Sequence, residues 1–224
     1  MATAPNDVER RMADAIPIVL IHGLGRTSAS LSRLARRLEA SGHPALKVDY
    51  KSRRYDLDEC AKRITPTLVR YAERVGPDLA LVGHSMGGLV ARILAARGEV
   101  PVRSIVMLAP PNSGSEVADF VYRSRLGRML LGPALGELRT NGAHAVPRPP
   151  CPVGIIAGTR SYLPLTSRLI AGSNDGLVSL DRTRLEGADW IGLSAGHTLL
   201  MNHPDTAEAV VTFVRDGRFP DRLR

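Results

Sequence analysis

Six short apolar runs recur along the chain, and stretches of helical periodicity separate them. The runs are PIVLIH (17–22), ALKVDY (45–50), LALVG (79–83), VRSIVMLA (102–109), CPVGIIAG (151–158) and DWIGL (189–193). They are rich in β-branched residues and nearly continuous in hydrophobicity, which a sheet with one wet face would not tolerate. They predict strands of a sheet covered on both sides. Strand and helix in alternation require crossover connections, and those connections give a mostly parallel, doubly wound α/β fold flanked by helices. Ligands of such sheets bind beyond the carboxyl ends of the strands, so chemistry is sought there.

The intervening helices have clear faces. Leu31, Leu34, Ala35 and Leu38 share one, with Gly42 placed to cap the end. Residues 57–75 carry Leu57, Ala61, Ile64, Leu68 and Ala72 at the same spacing, and Pro66 predicts a kink or interruption. Residues 86–97 and 205–215 complete the set. With 224 residues the chain has material for one sizeable core. The expectation is therefore a single domain over 1–224, with a polar N-terminal extension at 1–16 and a stiff loop, PRPPCP, at 147–152.

Composition removes several classes. Two cysteines far apart, Cys60 and Cys151, make neither a disulfide framework nor a zinc ribbon, and free thiols are expected. The segment MATAPNDVERRMADA lacks an apolar signal core, and PIVLI is too short to span a bilayer, so a cytoplasmic location is expected. The formal net charge is +8, but the arginines scatter along helices as in LSRLARRLEA and aromatics are only 4%, which argues against nucleic acid. A basic surface leaves room for weak contact with anionic lipid.

The stretch LALVGHSMGGLVARIL (79–94) sets Ser85 where an apolar strand gives way to an apolar helix. Gly83-His84-Ser85-Met86-Gly87 fits G-x-S-x-G in the strand-turn-helix context that the motif requires. Such a turn lifts the hydroxyl out of both burial patterns, and the helix start offers unpaired N–H groups. The alternative is an incidental serine N-cap. His84 is read as packed beside the turn, with no chemical role.

A serine hydroxyl needs a base, and a base needs an orienter. His197, in SAGHTLLMNHP after the last strand, is favoured as base, and Gly196 beside it permits the loop to bend. His203 precedes Pro204 and suits a structural role at the final helix; His43 lies in a turn and His144 in a long loop. Asp175, in the sharp Asn-Asp-Gly turn of GSNDGLVSL, is the best placed acid, with Asp181, Glu186 and Asp189 as alternatives nearer the next strand. His22-Gly23-Leu24-Gly25 follows the first strand, so the backbone amides of Leu24 and Met86 are the expected oxyanion donors.

HGLG, GHSMGG, NDGLVS and AGHTLL stand in an order that resembles the α/β-hydrolase superfamily, above all its small bacterial lipases and esterases. LAPPNSGSEVAD (108–119) is similar to a Pro-x-x-Gly-Ser segment of those lipases. The resemblance runs over about 17–214 and implies Ser85 as nucleophile, Asp175 as acid and His197 as base, with a small-molecule or lipid-like ester as substrate. It implies no metal and no organic cofactor. Acyltransferases share the fold, and a non-catalytic binding protein is the rival from another class.

Caps in this superfamily follow the strand after the serine turn, which leaves 112–148 as the room for a small lid. One helix is expected there, capped by Ser115, carrying Val117, Phe120, Val121, Leu126, Met129 and Leu130, and ended by Gly132-Pro133. It is either a helix packed on the body or a wall near Ser85. The loop 159–174, with Tyr162, Leu163 and Leu165, is the expected opposite wall.

Overall fold

A computed structural model describes residues 15–224, with the backbone alone for His144; the rest of the 1–16 extension lies outside the described residues. The six expected strands form one sheet: β1 (Ile18–Ile21), β2 (Ala45–Val48), β3 (Leu79–His84), β4 (Val102–Leu108), β5 (Val153–Gly158) and β6 (Asp189–Leu193). Their order is β2-β1-β3-β4-β5-β6, with every neighbouring pair parallel.

Side chains alternate between two cores, as a doubly covered sheet demands. Val19, Ile21, Leu81 and Met107 face α2 (Leu57–Val75) and α3 (Met86–Arg97). Ile18, Leu20, Val82 and Leu108 face α1 (Ser32–Ala40) and the C-terminal helix Pro204–Asp216. The chain steps outward from β1 to β2, then returns across β1 to β3, so the order reverses between β1 and β3. Ile21 pairs with Gly83 and Gly83 with Met107, which aligns the carboxyl ends of three strands at that crevice.

Pro66 neither ends nor interrupts α2, which runs unbroken to Val75. The proline lies on the exposed face, so the Lys62 carbonyl that loses its helical donor is open to water. Asp56 caps the start, accepting the Glu59 N–H at 2.7 Å.

The region 112–148 departs further from expectation. In place of one helix it folds into α4 (Glu116–Arg123), α5 (Arg125–Leu131) and α6 (Ala134–Glu137). Ser115 does cap α4, but Ser124 breaks the helix and caps α5 by accepting the Gly127 N–H at 3.3 Å. Gly127 permits the break, since a Cβ there would lie 2.3 Å from the Val121 carbonyl oxygen. Both ends of the region meet one buried side chain of α3. Arg92 donates to Asn112 Oδ1 at 2.8 Å, Val146 O at 2.6 Å and Pro147 O at 3.1 Å.

Two short helices, α7 (Pro164–Ser167) and α8 (Leu180–Thr183), lie in the connection between β5 and β6, and α9 is the C-terminal helix Pro204–Asp216. Cys60 and Cys151 are unbonded. No helix among the described residues is long and apolar enough to cross a membrane.

Candidate functional site

Ser85 stands between β3 and α3 with φ 53° and ψ −122°. A non-glycine residue in that region stores about 1–3 kcal/mol and persists only where its surroundings over-determine it. Here the Ser85 N–H donates to Leu108 O at 2.8 Å, and the Gly88 N–H donates to Ser85 O at 2.9 Å. The flanking glycines are steric necessities. A Cβ on Gly83 would lie 2.4 Å from the Gly87 backbone, and one on Gly87 would lie 2.3 Å from Ile21 O. The serine turn is thereby pressed against the end of β1, where HGLG begins.

His197 follows β6 and Asp175 follows β5, and the two meet. The His197 Nδ1–Asp175 Oδ2 distance is 2.7 Å, with both residues buried. Asp175 Oδ1 accepts the N–H groups of Leu177 at 3.0 Å and Val178 at 2.8 Å, and the His197 N–H donates to Asp175 O at 3.0 Å. One carboxylate oxygen thus anchors its own turn while the other faces the imidazole. Asn174 adds to the turn by accepting the Gly176 N–H at 3.0 Å.

The competing residues have other occupations. His203 caps α9, its Nδ1 accepting the Asp205 N–H at 3.3 Å. His43 is buried and accepts the Ile16 N–H at 3.1 Å, and His144 falls in a 3-10 turn over Ala143–Ala145. Asp189 accepts the Phe219 N–H and pairs with Arg224, Glu186 pairs with Arg148, and Asp181 lies in the first turn of α8.

His84 has a larger part than the sequence assigned to it. Its ring is 5.0 Å from that of His197, and its Nε2 lies 2.9 Å from the His197 carbonyl oxygen. A carbonyl only accepts, so Nε2 carries the hydrogen. Burial, reinforced by the neighbouring His197, pushes the His84 pKa well below the ordinary value of 6.5, which keeps the ring neutral. The sequence signal was its place beside Ser85; its partner lies 113 residues away.

The HGLG segment is held from β2. Tyr50, just past that strand, stacks on His22 at 4.2 Å between centroids and donates its hydroxyl to the His22 carbonyl. Burial raises the Tyr50 pKa far above its usual value, so the hydroxyl stays a donor. Burial also lowers the His22 pKa, against the opposing pull of its hydrogen bond to Gly23. The amides of Leu24 and Met86 find no acceptor among the described residues, and neither does the Ser85 hydroxyl. Sequence reading missed Tyr50 because its role follows from the pairing of β1 with β2.

A cavity of about 410 Å³ opens over these groups, bordered by Ser85, His197 and Leu24. Val117, Val121, Leu131 and Leu135 from 112–148 form one side, and Leu177 and Val178 another. That region is therefore a wall of the cavity. The loop 159–174 is not the facing wall: none of its residues borders the cavity, and Tyr162, Leu163 and Leu165 are exposed, with Tyr162 beside Gly196 and Leu163 beside Gly176. Tyr162 explains Gly196, where a Cβ would come within 2.8 Å of the ring. Among the described residues no three His, Cys, Asp or Glu side chains gather as a metal site.

Comparison with known proteins agrees with this architecture. The model of the alpha/beta hydrolase family matches residues 18–212. A triacylglycerol lipase of Burkholderia plantarii is 28% identical over 54% of the chain, and one of Pseudarthrobacter phenanthrenivorans is 28% identical over 49%. Each match spans only 37% of the relative's length. Among solved structures, the mature lipase BlEst2 of Bacillus licheniformis superposes with a TM-score of 0.79 at 21% identity, over 90% of this chain and 92% of that one. The phospholipase PlaB of Legionella pneumophila gives 0.67 at 16% identity, over 90% and 60%.

Proposed function

Because the chain belongs to the α/β hydrolase family, we propose that it is a serine carboxylic ester hydrolase that works through an acyl-enzyme. The observation that carries this reading is the buried His197–Asp175 pair at 2.7 Å, set on the same cavity as the strained Ser85. His197 Nε2 takes the Ser85 proton as Oγ attacks the ester carbonyl. Asp175 holds the Nδ1–H tautomer and stabilises the imidazolium that forms. The Leu24 and Met86 amides, free of other acceptors, donate to the tetrahedral oxyanion. The imidazolium protonates the leaving alcohol; water activated by the same imidazole then releases the acid. Catalytic hydrogen bonds such as the one this reading requires between Ser85 and His197 often tighten only in the substrate complex.

The apolar wall supports an acyl chain as the carbonyl substituent. The triacylglycerol lipase relatives support a lipid-like ester. In this reading the chain is one hydrolase unit, with 112–148 as a wall over the site.

A fluorophosphonate probe followed by peptide mass spectrometry tests the nucleophile. Labelling at Ser85, lost in Ser85→Ala, is expected. A label elsewhere, or none on folded protein, removes the assignment.

A further inference from the structure

The cavity is asymmetric in charge. Among the described residues its only Lys, Arg, Asp or Glu side chains are Arg26 and Arg53, and no carboxylate borders it. Both guanidiniums lie by the HGLG segment, while the Arg53 backbone abuts Gly132 at the end of α5. Arg26 follows the oxyanion segment directly, and its N–H donates to Gly23 O at 3.2 Å. Arg53 leans over Gly25, where a Cβ would lie 3.0 Å from its Nη2. Neither guanidinium pairs with a carboxylate among the described residues; Arg53 Nη2 lies 3.5 Å from the Gly25 carbonyl oxygen. Arg26 Nε is buried and has no hydrogen-bond partner, which is costly for a group that carries charge. Its field also reaches the serine turn, where it helps to lower the pKa of His84.

Two cations without a carboxylate partner beside the HGLG loop, in a cavity otherwise lined mostly by apolar side chains, suit an amphipathic substrate. We propose that Arg26 and Arg53 bind an anionic group on the alcohol half of the ester, so that the substrates are acyl esters of anionic alcohols. The inference rests on the hydrolase reading above. The acyl chain lies along Val117, Val121 and Leu135, and the anion sits at the guanidiniums, whose planar forks match phosphate or carboxylate. The Ser85 Oγ–acyl bond forms as the acyl–alkoxide bond breaks. The anionic alcohol leaves with the proton from His197, and water then yields the free acid. The arginines themselves exchange no proton. Bulk neutral esters lack the group that would fill this end of the cavity.

Hexanoyl esters of four alcohols, kept below their micellar range, test the idea. They are glycerol 3-phosphate, 4-hydroxybutanoate, glycerol and glycerophosphocholine. The wild type is expected to favour an anionic ester over hexanoylglycerol in kcat/KM by about tenfold or more, mainly through KM, as a charge-assisted pair supplies. The phosphate and carboxylate members show which anion fits better. In Arg26→Gln and Arg53→Gln the anionic-to-neutral ratio falls by about tenfold, and in the wild type it falls with rising salt. An equal loss on all four esters in the variants overturns the proposal, because it marks a general effect on the oxyanion. A salt-independent wild-type ratio near one overturns it without any variant. If hexanoylglycerol and the anionic esters all go unhydrolysed while Ser85 fails to label, the hydrolase reading falls first and takes this one with it.

Discussion

Around Ser85 most polar atoms are held by a second group, whereas along α4 and α5 apolar side chains stand in solvent. Asp175 satisfies both its oxygens, His84 ties the His197 carbonyl, and Tyr50 ties that of His22. On the outer wall Phe120, Leu126 and Leu130 are more than half exposed and Met129 is 73% exposed. The floor of the cavity therefore resists adjustment, and chemistry depends on its geometry. The wall is tied along its length, by Arg92 to Asn112, Val146 and Pro147, by Arg182 to Glu116 and Ser113 O, by Ser115 Oγ to Leu177 O and by the Leu57 N–H to Glu137 Oε2 at 2.7 Å. Its inner side chains Ala118, Ala134 and Leu135 belong to the core; the outer face of α4 and α5 is what stands free. If Ser85, His197 and Asp175 carry the proposed reaction, the exposed outer face of α4 and α5 is the part of the wall that can change without touching them.

The comparison breaks most visibly at the floor. Asp175→Asn keeps the shape of the turn but offers the imidazole the wrong partner, and kcat should fall by about 10⁴-fold with little change in melting temperature. Steady-state hydrolysis of a p-nitrophenyl ester measures it. A loss below about tenfold would leave His197 without a need for Asp175. The wall has its own breaking point in Arg92, which is buried and whose pKa is pushed down to about 10 by burial, still charged at neutral pH. Arg92→Met strands three acceptors, and urea unfolding should show a loss on the order of 3 kcal/mol. If the comparison is right, that loss comes with a broader range of accepted esters, not with a failure of the serine to label.

The same contrast divides what could be read from the sequence. Ser85 and its glycines are legible because a strand, a turn and a helix lie within sixteen consecutive residues. Asp175 and the HGLG loop are legible because carboxyl ends of strands in a parallel sheet converge. All six strands lie where the apolar runs predict them. What escaped was tertiary. The His84–His197 and Tyr50–His22 contacts join distant segments, and nothing local marks them. The break between α4 and α5 rests on Ser124 and Gly127, where a cap competes with continued helical periodicity. That α2 continues past Pro66 was not legible, because the proline's tolerance depends on which face of α2 meets water. Tyr162, Leu163 and Leu165 were read as wall residues because apolar loop residues gave no sign of which side they would take.

Titration sharpens the floor further. His84, His22 and His43 all have pKa values lowered from 6.5, burial being the largest cause in each. Below about pH 6.5 the unfolded chain binds protons that these folded rings refuse, so stability falls as pH falls through that window. Each ring contributes a slope of at most about 1.4 kcal/mol per pH unit. Urea midpoints from pH 7.5 to 5.5 should therefore decline on acidification, and the decline should be shallower in His84→Asn. A midpoint that rises with acid would mean that these rings are protonated in the folded state.

The smallest effects should come from adjacent residues on α4 that face opposite ways. Val121 borders the cavity, while Phe120 is 56% exposed on the outside. Val121→Trp fills acyl space, and the ratio of butanoyl to octanoyl turnover should rise by about tenfold, the scale on which a pocket discriminates a few methylenes. Phe120→Ser removes a side chain that has little packing to lose, so its stability change should stay within about 0.5 kcal/mol, with the same chain-length ratio. Both variants alter one turn of one helix, so a shared change in chain preference would mean that α4 moves as a unit over the site. A change confined to Val121→Trp would mean that the wall selects by the space behind it and that the outer apolar face is independent of hydrolysis of monomeric esters.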